Sequence, residues 1–298
     1  MARVIPLELS QVQRERLAYI DFRLYFIGEI SRADIIVRFG VAPAGATRDI
    51  ATYREIAPRN IVFDGSSKTY RIGRYFRPLF EHPLERTLTA LSQGFGDGLG
   101  GYPGPLVPCE FPHSINKPAT PTLATVTRAI SSGAVLSINY VSLSGGESKR
   151  EIVPFALADN GLRWHTRAYD RNSGEFRDFV LTRILKASAV PGSVPESFET
   201  SDNDIQWNRI VELELVAHPD AARPEVSDLD YPMEGGVLRI KARAALAGYV
   251  LRRWSIDCSP DHRLRGPEYR LWLKDPLTLY GTDSAELAPG YVKPTGRP

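Results

Sequence analysis

Apolar residues recur at helical spacing through the first sixty positions, then switch to strand-like alternation. Leu17, Ile20, Leu24 and Ile27 lie 3, 4 and 3 residues apart. That spacing predicts an amphipathic helix over 10–27, with Ser10 as N-cap and Gly28 just past its end. Ser31 and Asp34 make an S-x-x-D cap for a second helix, with Ile30 in front as a staple. Ile35, Ile36 and Phe39 form its buried side, and Gly40 ends it. A third helix is expected from about Pro43 to Ala57, with the stripe Ala46, Ile50, Tyr53 and Ala57; Pro43 suits its first turn and Pro58 stops it. The segment IVFD-GSSK-TYRI at 61–72 reads as a short hairpin with a Gly/Ser tip.

Three helices, a tight turn and a hairpin give the order of a winged helix-turn-helix over residues 1–80. The other reading is an ordinary small α+β domain. The outer face of the third helix favours DNA. Its small residues, Ala44 among them, let a helix approach the major groove, where Arg48 suits guanine O6 and N7 and Thr47 a phosphate or a thymine methyl. Lys68 at the hairpin tip, with Arg71 nearby, suits backbone phosphates. Arg32, Ala44, Thr47, Arg48, Arg54 and Lys68 are the candidate contacts to double-stranded DNA. Tyr53 reads as core.

Residues 81–121 read as a short helix at about 83–92 followed by a Gly/Pro-rich linker. A helix then starts near Pro121. Strands are expected at about 134–142, 149–155, 162–169 and 176–182, the pattern of a small antiparallel barrel within 122–190. PGSVPESFE at 191–199 is a second break. Residues 200–290 carry strands at 209–217, 236–244 and 269–273. A helix at 245–255 places Leu246, Val250, Leu251 and Trp254 on one side. The whole is α+β and multidomain.

The stretch GLRWHTRAYDRNSGEFRDFVLTRI at 161–184 holds the densest candidate chemistry. It reads as two strands around a Gly-containing turn, with Arg163, His165, Arg167 and Tyr169 on one face. Arg177, Phe179, Leu181 and Arg183 share a face of the second strand. Arginines grouped with His and Tyr suit an anion such as phosphate. Each arginine could equally pair with a carboxylate, and His165 could be structural. Tyr140, Arg150, His165, Arg167, Tyr169, Arg177 and Arg183 are the candidate ligand residues, with Tyr140 inclined to packing.

The wording Tyr140, then Arg150 with Pro154 four residues on, Trp164-His165-Thr166, Arg177, Phe179 and Arg183-Ile184 resembles the WYL domain of bacterial transcription regulators. Trp164-His165-Thr166 stands where that family has its eponymous tripeptide. WHTRAY at 164–169, with FRLYFIGEISRADIIVRFG and ATRDIATYREIAP near the N-terminus, resembles the BrxR and CapW type found at phage-defence loci. The resemblance implies an Sm-like or SH3-like barrel, a C-terminal extension that supports a homodimer, a pseudo-palindromic operator, and repression of an anti-phage operon. An anionic nucleotide or nucleic-acid effector fits the arginines.

Charge sharpens this division. Residues 1–80 hold 13 Lys/Arg against 8 Asp/Glu, and the remainder holds 24 against 27. A basic N-terminal module points to a polyanion partner. No phosphate loop, H-E-x-x-H or C-x-x-C motif occurs, so neither a cofactor nor a metal is expected. A nucleotide-acting enzyme or a nucleic-acid-binding adaptor remains the alternative. No apolar run of about 18 residues and no signal-like N-terminus occur, which leads to a cytoplasmic expectation. Cys109 and Cys258 read as buried small hydrophobes.

Overall fold

In the computed structural model, residues 9–95, 104–112 and 115–294 are described, and the chain divides into two compact units, Met1–Pro112 and His113–Pro298. In the first unit, α1 (Gln11–Phe22) is capped by the Ser10 hydroxyl, which accepts from the Gln13 amide. It runs on through a wider turn, Arg23–Ile27, to Gly28 at φ 87. β1 (Glu29–Ile30) follows. α2 (Arg32–Phe39) opens on the expected capping box, with Ser31 and Asp34 each bonding the other's backbone N–H. α3 (Pro43–Ile56) then leads to a hairpin, β2 (Ile61–Asp64) and β3 (Thr69–Ile72), and β3 also pairs with β1. The two-residue β1 is too short for any periodicity to announce it. α4 (Leu84–Gln93) is the last regular element among the described residues of this unit.

Most of the predicted stripes are buried: Leu17, Ile20, Leu24, Ile30, Ile35, Ala46, Ile50, Tyr53 and Ala57 form the core, joined by Tyr19 and Ile61, whereas Ile27, Ile36 and Phe39, expected on the buried faces, are only half-buried. Buried polar groups tie the helices together. Arg16 grips Asp49 with Nε at 2.6 Å and Nη2 at 3.2 Å, joining α1 to α3. Asp21, fully buried, accepts from the Tyr53 hydroxyl and from the Leu79 and Phe80 amides, and pairs with His82 at 3.0 Å.

The second unit starts with α5 (Thr120–Ser132). β4 (Leu136–Ser142), β5 (Gly146–Asp159), β6 (Trp164–Asp170), β7 (Glu175–Val180) and β8 (Ile184–Ala189) form one antiparallel sheet in the order β7-β6-β5-β4-β8. β8 was not among the expected strands. Its exposed Leu185 and Lys186 and small Ala187 and Ser188 give it little apolar alternation. Among the described residues the edge strands β7 and β8 do not pair with each other, so the sheet is open where a closed barrel is expected. α5 packs Val126 and Ala129 onto Leu136, Ile138, Ile152, Ala168 and Phe179.

The chain then passes through single turns and α6 (Ile205–Asn208) into β9 (Ile210–Ala217), α7 (Glu225–Asp230), β10 (Val237–Arg243), α8 (Ala244–Arg253) and β11 (Leu271–Leu273), with sheet order β10-β9-β11. The buried side of α8 is Ala244, Ala245, Ala247, Gly248 and Leu251. Leu246 and Val250, expected on that side, are only half-buried, and Trp254 is exposed. The reason is a close backbone approach. A Cβ on Gly248 would sit 1.7 Å from the Ser284 carbonyl oxygen, so this helix buries its smallest residues. Cys258 is buried, but Cys109 is exposed, against expectation.

Candidate functional site

The face of α3 opposite its buried stripe is polar and open. Ala44, Thr47, Arg48, Arg54 and Glu55 are exposed there. The Thr47 hydroxyl donates to the Pro43 carbonyl at 3.0 Å. Arg48 lines a surface groove with Gln13, Arg16, Thr52 and Glu55. Its guanidinium has no ion-pair partner among the described residues, unlike Arg16 beside it. Arg32 and Lys68 are also exposed. Lys68 adopts φ 56 at the hairpin tip, a left-handed conformation that turns the strand within the GSSK segment. Asp64 accepts from the Ser66 hydroxyl and amide, which lowers its pKa to about 2. Arg71 pairs with Asp64 at 2.9 Å, so its charge is partly committed within the hairpin.

The candidate ligand residues of the second unit do not form one surface. Directly opposed residues of neighbouring strands share a face. The register sets Arg167 opposite Asp178 and Ala168 opposite Arg177, so Arg167 and Arg177 lie on opposite faces. Arg150 opposes the core residue Ile138, which puts it on the Arg177 side. Tyr140 is also on that side, buried edge-on against Phe179 at 5.1 Å, and its hydroxyl accepts from the Val180 amide. Arg150 pairs with the fully buried Asp170 at 2.5 Å. Arg177 pairs with Glu175 at 2.6 Å in the open. Arg183, in the turn after β7, is half-buried without an ion-pair partner among the described residues.

The face bearing His165, Arg167 and Tyr169 is covered by the chain's own later segments. Arg167 is 6% exposed. Its guanidinium donates to both carboxylate oxygens of Asp204, at 2.7 and 3.2 Å, and to Asp178 at 3.3 Å. Burial works against that charge, but the Asp204 bond and Asp178 outweigh it, so the guanidinium is held charged. The Tyr249 hydroxyl of α8 donates to Asp178 at 3.3 Å, and the Tyr249 ring lies 5.5 Å from that of His165. Burial pushes the His165 pKa down, with Asp178 opposing. Tyr169 packs edge-on against Phe176 and Phe198. Arg171 extends the seam, gripping Glu199 at 2.7 and 2.8 Å.

Like charges without an anion would be costly; here carboxylates supply the counter-charge. Asp170, Asp178, Glu199 and Asp204 are the residues that sequence reasoning missed. Asp204 stands 37 residues from Arg167, and no local pattern links the two. The one available signal was an acid three residues before Trp207, the position of a helix N-cap. Asp204 does cap α6, accepting from the Trp207 amide at 3.1 Å.

Three domain descriptions match in chain order. They are the BrxR transcriptional regulator winged helix-turn-helix domain over 12–93, the WYL domain over 121–189, and the BrxR transcriptional regulator C-terminal dimerization domain over 210–279. The DNA-binding transcriptional repressor CapW of Escherichia coli (strain KTE188) is 32% identical over 280 residues, covering 90% of this chain and 91% of the relative. The chain belongs to the CapW family. The CapW repressor of Pseudomonas aeruginosa is 31% identical over 267 residues, 86% of each chain, and that of Stenotrophomonas maltophilia is 28% identical over 256 residues, covering 82% of this chain and 84% of the relative. Among solved structures, the Proteasome accessory factor B/C (PafBC) of Arthrobacter aurescens shares 19% identity at a TM-score of 0.28. This chain is covered to 93% and spans 46% of that one. As CapW-family domains, the two units read plainly: α1 to α4 carry the winged helix, and the second unit joins the WYL sheet to the dimerization module through the Arg167 seam.

Proposed function

We propose that this chain is a homodimeric DNA-binding repressor that holds two α3 helices against a pseudo-palindromic operator. The observation that carries the reading is the open polar face of α3 with its exposed Arg48, in a chain aligned over 90% of its length with a named DNA-binding repressor. Arg48 reads base edges, Thr47 and Ala44 permit close approach, and Arg32, Arg54 and Lys68 meet phosphates. Repression of a phage-defence operon, in the cytoplasm, follows from the resemblance to BrxR and CapW regulators.

The WYL module is the sensor in this reading. Its effector is an anionic nucleotide or nucleic-acid fragment that meets the exposed Arg177 and the half-buried Arg183. His165, Arg167 and Tyr169 act behind it, transmitting the event to the dimerization module through Asp204 and Tyr249. An effector shifts the population only by its differential affinity for the DNA-competent and incompetent arrangements.

The test is binding to the DNA upstream of the chain's own gene, against a scrambled duplex, across a salt series. Tight binding to the upstream DNA alone supports the reading. Equal and steeply salt-dependent binding to both duplexes sinks it, because phosphate attraction alone behaves that way.

A further inference from the structure

The dimerization module contains a cleft that the reading above does not use. It has a volume of about 510 Å³, and its lining includes His218, Asp220, Arg223, Arg265, Tyr269 and Arg270. The turn after β9 and the start of α7 form one wall; the loop leading to β11 forms the other.

The lining holds three arginines and one aspartate; just outside it, Asp230 pairs with Arg270 and the Glu268 carboxylate lies over Gly266. Arg265 is fixed in place, donating to the His262 and Leu264 carbonyls and pairing with Asp220 at 2.9 Å. Asp220 also holds His262 Nδ1 at 3.1 Å, and His262 takes a left-handed φ of 44 to reach it. Arg270 is anchored to Asp230 at 3.2 Å. The Arg223 side chain is exposed, with no hydrogen-bond or ion-pair partner among the described residues. Val226, Leu264 and Pro267 supply apolar wall beside the Tyr269 ring.

This differs from the WYL seam in a specific way. There Arg167 and Arg171 are held by carboxylates that are themselves buried. In the cleft the pairs of Arg265 with Asp220 and of Arg270 with Asp230 are solvent-exposed, Arg223 has no counter-charge among the described residues, and Tyr269 shares the lining. Exposed ion pairs hold their partners weakly; guanidinium forks match phosphate oxygens in pairs, so a phosphate entering here would supply the counter-charge that Arg223 lacks and compete with Asp220 for Arg265. The ring offers a surface on which a base can stack.

We infer that this cleft binds a nucleoside phosphate. The phosphate would sit between Arg223 and Arg265 and the base against Tyr269. Two sources share that chemistry: a free mononucleotide and the phosphorylated end of a strand. The inference uses none of the residues assigned to operator binding, so the two stand or fall separately.

The experiment is calorimetric titration of the full-length chain with ADP, with competition by a 5′-phosphorylated thymidine hexamer. Circular dichroism and light scattering are run on each variant. Saturable ADP binding is expected, weakened about tenfold or more in Arg223→Ala and in Arg265→Ala. Arg48→Ala and Arg239→Ala, the latter paired with Glu214 on the sheet of the same module, should bind ADP as the parent does. Competition by the hexamer would assign the site to strand ends, and its failure to compete would assign it to free nucleotide. Absence of ADP binding, or equal binding by a folded Arg223→Ala, overturns the inference. A fall in dimer mass in Arg223→Ala without ADP binding by the parent also overturns it, because the cleft would then belong to the contact between copies.

Discussion

The Arg167 guanidinium donates to both oxygens of Asp204, and Asp204 at the same moment caps α6 through the Trp207 amide. One carboxylate therefore bolts the WYL sheet to α6, the short helix that leads into the dimerization domain matched over 210–279. Removing one partner of a buried pair leaves an uncompensated charge, at a cost of about 3–5 kcal/mol. Arg167→Ala should lower the denaturation midpoint strongly. Asp204→Asn should cost less, because Asn still caps a helix and Asp178 still faces Arg167. A midpoint unchanged in Arg167→Ala would mean that the seam contributes nothing to stability.

His165 gives the seam a pH dependence whose sign is fixed. Burial against α8 lowers its pKa from the ordinary 6.5, so the unfolded chain binds a proton more readily than the folded one. The contribution is fully present above pH 6.5 and is lost as pH falls through the depressed folded value, because protonation then drives unfolding. Stability measured by urea titration should decline between pH 6.5 and 5 in the parent, and by less in His165→Phe. Parallel pH profiles for the two proteins would remove His165 from the account.

Local order was legible in the sequence wherever one residue decides a conformation. Ser31 with Asp34, Pro43 and Gly40 marked the helix ends, and the apolar stripes named most of the core of the first unit, though Ile27, Ile36 and Phe39 are only half-buried and Tyr19 and Ile61 join from outside the stripes. The arginine-rich stretch was legible as strands but not as a site. Two things hid the answer. Strand parity places Arg167 and Arg177 on opposite faces only once the register of β6 on β7 is known. Glu199 arrives from the end of a segment that reads as a Pro/Gly break, and Asp204 from just beyond it, ahead of the strand expected at 209–217. The face of α8 was misjudged for a related reason: Leu246 and Val250 are the more hydrophobic choices, yet the close approach of the Ser284 backbone selects Ala and Gly.

That approach makes a prediction in which two effects compete. Replacing a mid-helix glycine by alanine ordinarily gains about 1 kcal/mol from propensity. At Gly248 the new Cβ would meet the Ser284 carbonyl at 1.7 Å, and overpacking costs typically about 1–3 kcal/mol or more. Gly248→Ala should therefore destabilise, although it adds a better helix former. Gly45→Ala in α3 is the control, since its Cβ would find only Val41 at an ordinary 3.7 Å. It should be neutral or stabilising. Equal effects of the two substitutions in thermal denaturation would refute the packing argument for α8.

Arg48 and Lys68 should separate base reading from backbone attraction. Arg48 is exposed on α3 and lies away from the buried stripe, so Arg48→Ala should leave fold and dimer intact. A bidentate pairing with guanine is worth about 1–3 kcal/mol of discrimination in each half-site, and a two-fold operator uses it twice. The variant should lose preference for operator over scrambled duplex while keeping weak, salt-sensitive binding. Lys68→Ala should weaken both duplexes alike and flatten the slope of log affinity against log salt by about 0.9 for each phosphate the protein no longer neutralises. Retained operator preference in a folded, dimeric Arg48→Ala would move the reading helix away from α3 and leave the winged-helix assignment without its central residue.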